Sequence, residues 1–117
     1  MKESVLREKS YQFAIRIVKL SQSLQNEKKE YVLSKQLLRS GTAIGSLIRE
    51  AAFGQSKADF INKLYIGLKE ANETDYWLNL LKDTYYINET EFNHMHQACQ
   101  ELIAMLVASI KTTKQKS

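Results

Sequence analysis

The sequence predicts an all-α protein, an antiparallel up-and-down four-helix bundle, from three observations. Four segments carry apolar residues at the three- and four-residue spacing of amphipathic helices. Proline, which interrupts helices, is absent from the 117 residues. The segments are joined by short connections, which favour antiparallel neighbours. We expect a single domain over residues 1–117, because that length fits one hydrophobic core.

The first helix is predicted over residues 4–24, where apolar side chains recur on one face. Residues 25–30 contain no apolar side chain and predict a solvated connection. The apolar face consists of Leu6, Phe13, Ile17, Leu20 and Leu24.

The second helix is predicted over residues 31–53 and contains two glycines, Gly41 and Gly45. Each glycine costs about 0.8–1 kcal/mol relative to Ala inside a helix. Because the two are four residues apart, they share a face, and we expect another helix to pack closely against them. Gly54 predicts a left-handed stop after this helix.

The third and fourth helices are predicted over residues 56–85 and 88–112, and each begins with a capping residue. We expect the Ser56 hydroxyl to accept from the Asp59 amide, with the Asp59 carboxylate reaching back to Ser56. Asn88 predicts a similar start for the fourth helix. The basic tail after this helix has no apolar rhythm, and we expect it to fray.

Cysteine usage and the N-terminal sequence predict a cytoplasmic protein. A single cysteine, Cys99, excludes an intramolecular disulfide. Residues 1–9 are charged and lack the apolar run of a signal peptide. The sequence also contains no run of about 18 apolar residues, which a membrane segment would need.

Charge is distributed unevenly along the chain. The net charge of +4 divides into +6 for residues 1–57 and −2 for residues 58–117. The basic half can attract a polyanion such as RNA or DNA, and it can equally attract the acidic half of a second copy.

The second helix carries a stripe of cations and hydroxyls opposite its core face, without an acid in line. The first helix adds cations at similar spacing, and this mixture of side chains is typical of phosphate contacts. The simpler alternative is a solvated helix face. The candidate phosphate-contact residues are Lys35, Arg39, Arg49, Arg16 and Lys19.

The third helix places Ile66, Glu70, Glu73 and Trp77 on the side away from its predicted core face. A large apolar residue beside acids suggests an interface with a second copy, joined head to tail to the basic stripe. In that case some arginines are used in pairs with Glu70 and Glu73 of a neighbour and are lost to phosphate contact. The alternative is that Trp77 covers a helix end within its own bundle.

Catalytic and metal-binding patterns are weak. The sequence has no glycine-rich phosphate loop and no nucleophile elbow. Glu91 and His94 have the spacing of a di-iron motif, but the motif occurs once. His96 and Cys99 lack a third ligand nearby, and Cys99 is better interpreted as a core residue. We expect no enzymatic activity, catalytic residue, cofactor, metal or small-molecule substrate.

Five segments together resemble the bacterial four-helix-bundle proteins also called 23S rRNA-intervening-sequence proteins. Jointly they are fairly specific, and the likeness extends from about residue 9 to residue 114. The segments are 37–45 (LLRSGTAIG), 50–51 (EA), 55–60 (QSKADF), 69–74 (KEANET) and 76–78 (YWL).

The resemblance implies an up-and-down helical bundle that assembles as a homopentameric ring and has no known enzymatic activity. Relatives include accessory proteins of diversity-generating retroelements, which are basic pentamers that bind nucleic acid and a reverse transcriptase. We therefore expect a homo-oligomer that contacts RNA or DNA without sequence specificity. The alternative is a protein–protein assembly scaffold with no nucleic-acid role.

Overall fold

The computed structural model describes residues 2–116, and side chains from residue 5 onwards. It contains four helices and, within these residues, no strand, which confirms the all-α fold. The helices are α1 (Lys2–Glu27), α2 (Leu33–Ala52), α3 (Lys57–Asp83) and α4 (Glu89–Gln115).

Each helix packs against the next one along the chain, and α4 also packs against α1. Connections of four or five residues join the helices, so consecutive helices run antiparallel. The bundle measures 50 × 21 × 19 Å along its principal axes. The predicted up-and-down topology is confirmed.

The core runs along the bundle axis and is built from one face of each helix. Those faces are buried because removing their apolar area from water is the main favourable contribution to folding. The five side chains predicted for the first helix are all at most 7% exposed. The other large side chains that are fully enclosed are Leu37, Ile44, Leu64, Leu78, Leu81, Leu102 and Leu106, with the smaller Thr74 and Cys99 beside them.

The two glycines of α2 lie at close contacts with α1, as predicted. A Cβ atom on Gly41 would lie 2.8 Å from the side chain of Ile17. At Gly45 it would lie 3.3 Å from the backbone oxygen of Ser10. The absence of a side chain therefore lets α1 and α2 approach each other along this seam.

At the two predicted caps, the side chain of the capping residue accepts from the helix as expected, whereas the predicted return bond from the Asp59 carboxylate to Ser56 is not formed. The Ser56 hydroxyl accepts from the Asp59 amide at 3.0 Å, and the Asn88 side chain accepts from the Glu91 amide at 2.8 Å. Each satisfies one of the free amides of a first helical turn.

Several features of the helix ends differ from prediction. Helix α1 continues to Glu27, so the first half of the predicted connection over residues 25–30 is helical. Helix α2 begins at Leu33 and not at residue 31. Helix α4 continues to Gln115, although its predicted end was residue 112. The prediction of a left-handed stop at Gly54 is wrong, since no glycine within residues 2–116 has a positive φ. Left-handed backbone occurs instead at Lys29 and Tyr85, in the connections that follow α1 and α3.

Candidate nucleic-acid interface

The predicted cationic stripe of α2 divides between two sides of the helix. Arg39 leans toward α3, where its Nη1 lies 3.2 Å from Oε1 of Glu70 and its Nη2 bonds Glu73. The pairing between Arg39 and these acids is therefore made inside one subunit, because α2 and α3 are antiparallel neighbours. Both acids are thus paired within their own subunit, and a role for Glu70 and Glu73 in assembly stays a prediction.

The electrostatics of Glu73 follow from its two hydrogen bonds. Arg39 donates to its carboxylate, and so does the indole nitrogen of Trp77, at 3.1 Å. Both bonds favour the ionised carboxylate and lower its pKa, with Arg39 as the larger cause. Arg39 is thus tied to two acids and is a poorer candidate for phosphate contact than its place in the stripe indicated.

The predicted outward indole is half-buried. Trp77 packs against the core cluster and meets the ring of Tyr76 edge-on, with the centroids 5.0 Å apart. Ile66 is half-buried as well. This geometry matches the alternative in which Trp77 covers part of its own bundle, and a role for Ile66 or Trp77 in assembly stays a prediction.

The other candidate phosphate-contact residues are exposed. Within residues 5–116, no carboxylate lies within 4 Å of the charged groups of Lys35, Arg49, Arg16 or Lys19. They do not form one surface, because Arg16 lies in a shallow depression against α4, whereas Arg49 lines a groove against α1.

This groove lies between α1 and α2, where the start of α3 closes one end, and it has a volume of about 1170 Å³. Two aromatic side chains line it with most of their surface exposed, Tyr11 at 62% and Phe53 at 75%. Two arginines line it as well, Arg7 and Arg49, neither within 4 Å of a carboxylate of residues 5–116.

The sequence analysis did not single out Arg7, Tyr11 or Phe53. A signal for them exists, because an arginine is followed four residues later by an aromatic residue in α1, Arg7 before Tyr11, and at the end of α2, Arg49 before the C-cap residue Phe53. Residues at this spacing lie on one helix face.

Acidic side chains also line the groove, and two have partners within it or at its edge. Glu50 pairs with Lys63 at 3.6 Å, and Glu8 accepts from the amide of Gln12 at 3.0 Å. The third acid, Asp59, lies beside the chain turn that precedes α3. The groove therefore combines exposed guanidinium groups and aromatic rings with acids, and it is not a uniformly cationic surface.

The polar side chains between α3 and α4 make their contacts within the bundle. Cys99 is fully buried, its thiol donates to the backbone oxygen of Ala71 at 3.3 Å, and burial raises its pKa to about 12. This confirms the interpretation of Cys99 as a core residue. His96 meets Asp75 at 2.6 Å and stacks on Phe92.

The described part of the chain has neither a cluster of metal-ligating side chains nor a membrane-spanning helix. No three His, Cys, Asp or Glu side chains there come close enough together to hold a metal ion. None of the four helices is both long enough and apolar enough to span a membrane.

The fold and its exposed cations define a small helical bundle with a partly basic surface. The chain belongs to the 23S rRNA-intervening sequence protein family, whose model matches residues 2–108. The resemblance found in the sequence is therefore confirmed.

Among solved structures, the chain is similar to a crystal structure of a protein with unknown function from the S23 ribosomal protein family, from Bacteroides thetaiotaomicron. The two sequences are 54% identical, and the TM-score is 0.94 over 95% of this chain and 99% of that chain. No curated protein matches the chain.

Proposed function

We propose that the protein is a non-enzymatic, homo-oligomeric accessory protein that binds RNA or DNA without sequence preference. The observation that carries this proposal is the set of exposed cations with no carboxylate within 4 Å among residues 5–116. An unpaired surface cation is available for a phosphate, whereas Arg39 is already held by two acids. The set consists of Lys35, Arg49, Arg16 and Lys19.

Assembly is the second part of the proposal, with a homopentameric ring as the expected form. Its support is the family to which the chain belongs and the uneven charge, since α1 and α2 form the basic side of the bundle and α3 and α4 the acidic side. Unlike surfaces on one subunit favour head-to-tail contacts, which close into a ring when the rotation allows. Several such subunits would also present their cations to one nucleic acid together.

The binding proposal is tested by fluorescence anisotropy with labelled RNA and DNA of mixed sequence. We expect affinity that falls steeply between about 50 and about 200 mM salt, with little difference between sequences. No detectable binding at the lower salt concentration would exclude the function.

A double variant, Lys19→Gln with Lys35→Gln, tests whether these cations contribute. We expect the slope of log affinity against log salt to become shallower by about 1.4–1.8, because about 0.7–0.9 is lost per phosphate contact. Lys111→Gln is the matched control, since Lys111 is exposed on α4 in the acidic half of the chain. An unchanged slope in the double variant would remove both residues from the interface.

The assembly is tested separately by light scattering and sedimentation of the full chain. A mass of five subunits would support the ring, and a monomer at micromolar concentration would exclude it. A stable oligomer without nucleic-acid binding would favour the assembly scaffold over the accessory protein.

A further inference from the structure

We propose that the groove between α1 and α2 binds a short single-stranded segment of nucleic acid. Its bases stack on Phe53 and Tyr11, and its phosphates are held by Arg49 and Arg7. This inference rests on the proposed nucleic-acid function and adds to it the site and the kind of strand.

The register between α1 and α2 brings the two arginines of the groove together. Gly45 lies against Ser10, so these residues are at one level of the bundle. Arg49 follows Gly45 by about one helical turn, and Arg7 precedes Ser10 by slightly less than one. Because the helices are antiparallel, both steps go in the same direction along the axis, so Arg7 and Arg49 lie at a similar level and both line the groove.

The aromatic residues lie on either side of this arginine pair. Tyr11 is close to the level of the Gly45 contact, whereas Phe53 lies just beyond the end of α2. At about 1.5 Å per residue, their backbones are separated by roughly 13 Å along the axis. The order along the groove is therefore ring, two cations, ring, which suits alternating bases and phosphates of an extended strand.

The exposed rings favour a single strand over a duplex. In a duplex the base faces are covered by neighbouring base pairs, so an aromatic side chain has nothing to stack on. A single strand presents its base faces, and stacking on aromatic side chains is a sequence-tolerant way of holding it. The axial separation of the two residues, roughly 13 Å, also exceeds the length of one nucleotide, which favours an oligonucleotide over a free nucleotide.

The acids of the groove fit the same assignment. Glu50 is paired with Lys63, whereas Glu8 and Asp59 have no cation within 4 Å among residues 5–116. The groove cations without a carboxylate partner among these residues are Arg7 and Arg49. Two guanidinium groups among acids hold a duplex backbone weakly, and stacking must supply much of the affinity. Binding in the groove should then depend less on salt than binding to Lys19 and Lys35.

The experiment uses the full chain and a labelled single-stranded RNA of mixed sequence. Phe53→Ala is expected to weaken binding at least about fivefold, which corresponds to the loss of one stacked base. Phe53→Trp should retain the affinity, because the ring is kept. The matched control is Tyr31→Ala, which removes an aromatic side chain that is 50% exposed outside the groove.

Two further measurements separate stacking from charge. A strand containing 2-aminopurine should lose fluorescence on binding the natural chain and keep it with Phe53→Ala. Arg49→Gln should weaken binding of the strand and make the affinity less dependent on salt. Unlabelled duplex and a free nucleotide should both compete poorly against the labelled strand.

The outcomes distinguish this inference from the proposed function. If the natural chain binds no nucleic acid, both fail. If it binds, but Phe53→Ala and Arg49→Gln leave the strand's affinity unchanged, the groove is excluded and the function stands. Equal competition by duplex or by free nucleotide overturns the assignment of the ligand. If Phe53→Ala changes the mass of the assembly without changing affinity, the groove is a contact between copies and the inference is wrong.

Discussion

The carboxylate of Glu30 accepts a hydrogen bond of 2.7 Å from the backbone amide of Ser34, and it caps α2 from outside the helix. It also accepts from the amides of Val32 and Leu33, and the Ser34 hydroxyl donates back to the Glu30 backbone oxygen at 2.8 Å. Three of the free amides at this helix start are thereby satisfied by one side chain. A negative charge at this end also complements the helix dipole.

Glu30→Ala should destabilise the fold by about 1 kcal/mol, the ordinary cost of a lost N-terminal cap. The free energy of unfolding is measured with chemical denaturant at fixed protein concentration. Glu27→Ala is the control, because Glu27 is exposed at the end of α1 and caps no helix start. Equal stability of both variants would show that the Glu30 cap contributes nothing.

Glycine replacements in α2 and α3 should have opposite effects on stability. Gly41→Ala places a Cβ 2.8 Å from Ile17, and overpacking of this kind costs about 1–3 kcal/mol, more than the gain in helix propensity. At Gly67 the nearest atoms would be 3.8 Å from the new Cβ, so Gly67→Ala should stabilise the protein by up to about 1 kcal/mol. Thermal and denaturant unfolding measure both. A Gly41→Ala variant as stable as the natural chain would contradict the close α1–α2 contact, and a destabilised Gly67→Ala variant would contradict the open packing at Gly67.

The bonds to Glu73 make part of the stability depend on pH. Because its folded pKa lies below the ordinary value of 4.5, the contribution is present above that value and is lost as the pH falls through the folded pKa. The pair is partly exposed, so solvent screening keeps this contribution under about 1 kcal/mol. Glu73→Gln should be less stable than the natural chain at neutral pH and converge with it in acid. A stability difference that grew on acidification would contradict the assigned pairing.

Cys99 should be unreactive in the folded protein. Its thiol pKa of about 12, raised mainly by burial and also by the charge of Asp75, leaves very little of the reactive thiolate at pH 8. We expect a coloured disulfide reagent to react at least about a hundredfold more slowly with the native chain than with the chain in denaturant. Glutathione serves as the reference thiol, and rapid reaction of the native chain would show that α3 and α4 separate readily at this position.

The fold could be predicted because the residues that determine each helix lie close together in the sequence. Apolar spacing determines which face of a helix is buried, and residues such as Leu6, Phe13 and Ile17 are identified from α1 alone. Ser56 and Asn88 likewise mark helix starts through contacts only three residues away. The predicted start of α2, residue 31, is two residues early. Its cap is a glutamate, which is not one of the usual capping residues and reaches the helix from beyond Tyr31 and Val32.

The surface was harder to predict because its chemistry depends on which helices are neighbours. Arg39 and Arg49 share a stripe in the sequence, yet one pairs with α3 and the other faces α1. Amphipathic periodicity identifies the outward side of a helix but not which neighbour lies on its left or right. The groove could not be predicted for the same reason. Tyr11 and Phe53 lie 42 positions apart in the sequence and line one groove only when α1 and α2 pack together.

The Gly45 contact has a mechanical consequence for this surface. The spacing of α1 and α2 is set there by a glycine against the main chain of Ser10. The Ser10 hydroxyl lies at the same contact and donates a hydrogen bond of 3.0 Å to the backbone oxygen of Arg7. The groove between α1 and α2 is consequently preorganised and keeps its width when no ligand is bound. Any molecule that enters gives up its own freedom without requiring the helices to rearrange, so association can proceed without a preceding conformational step.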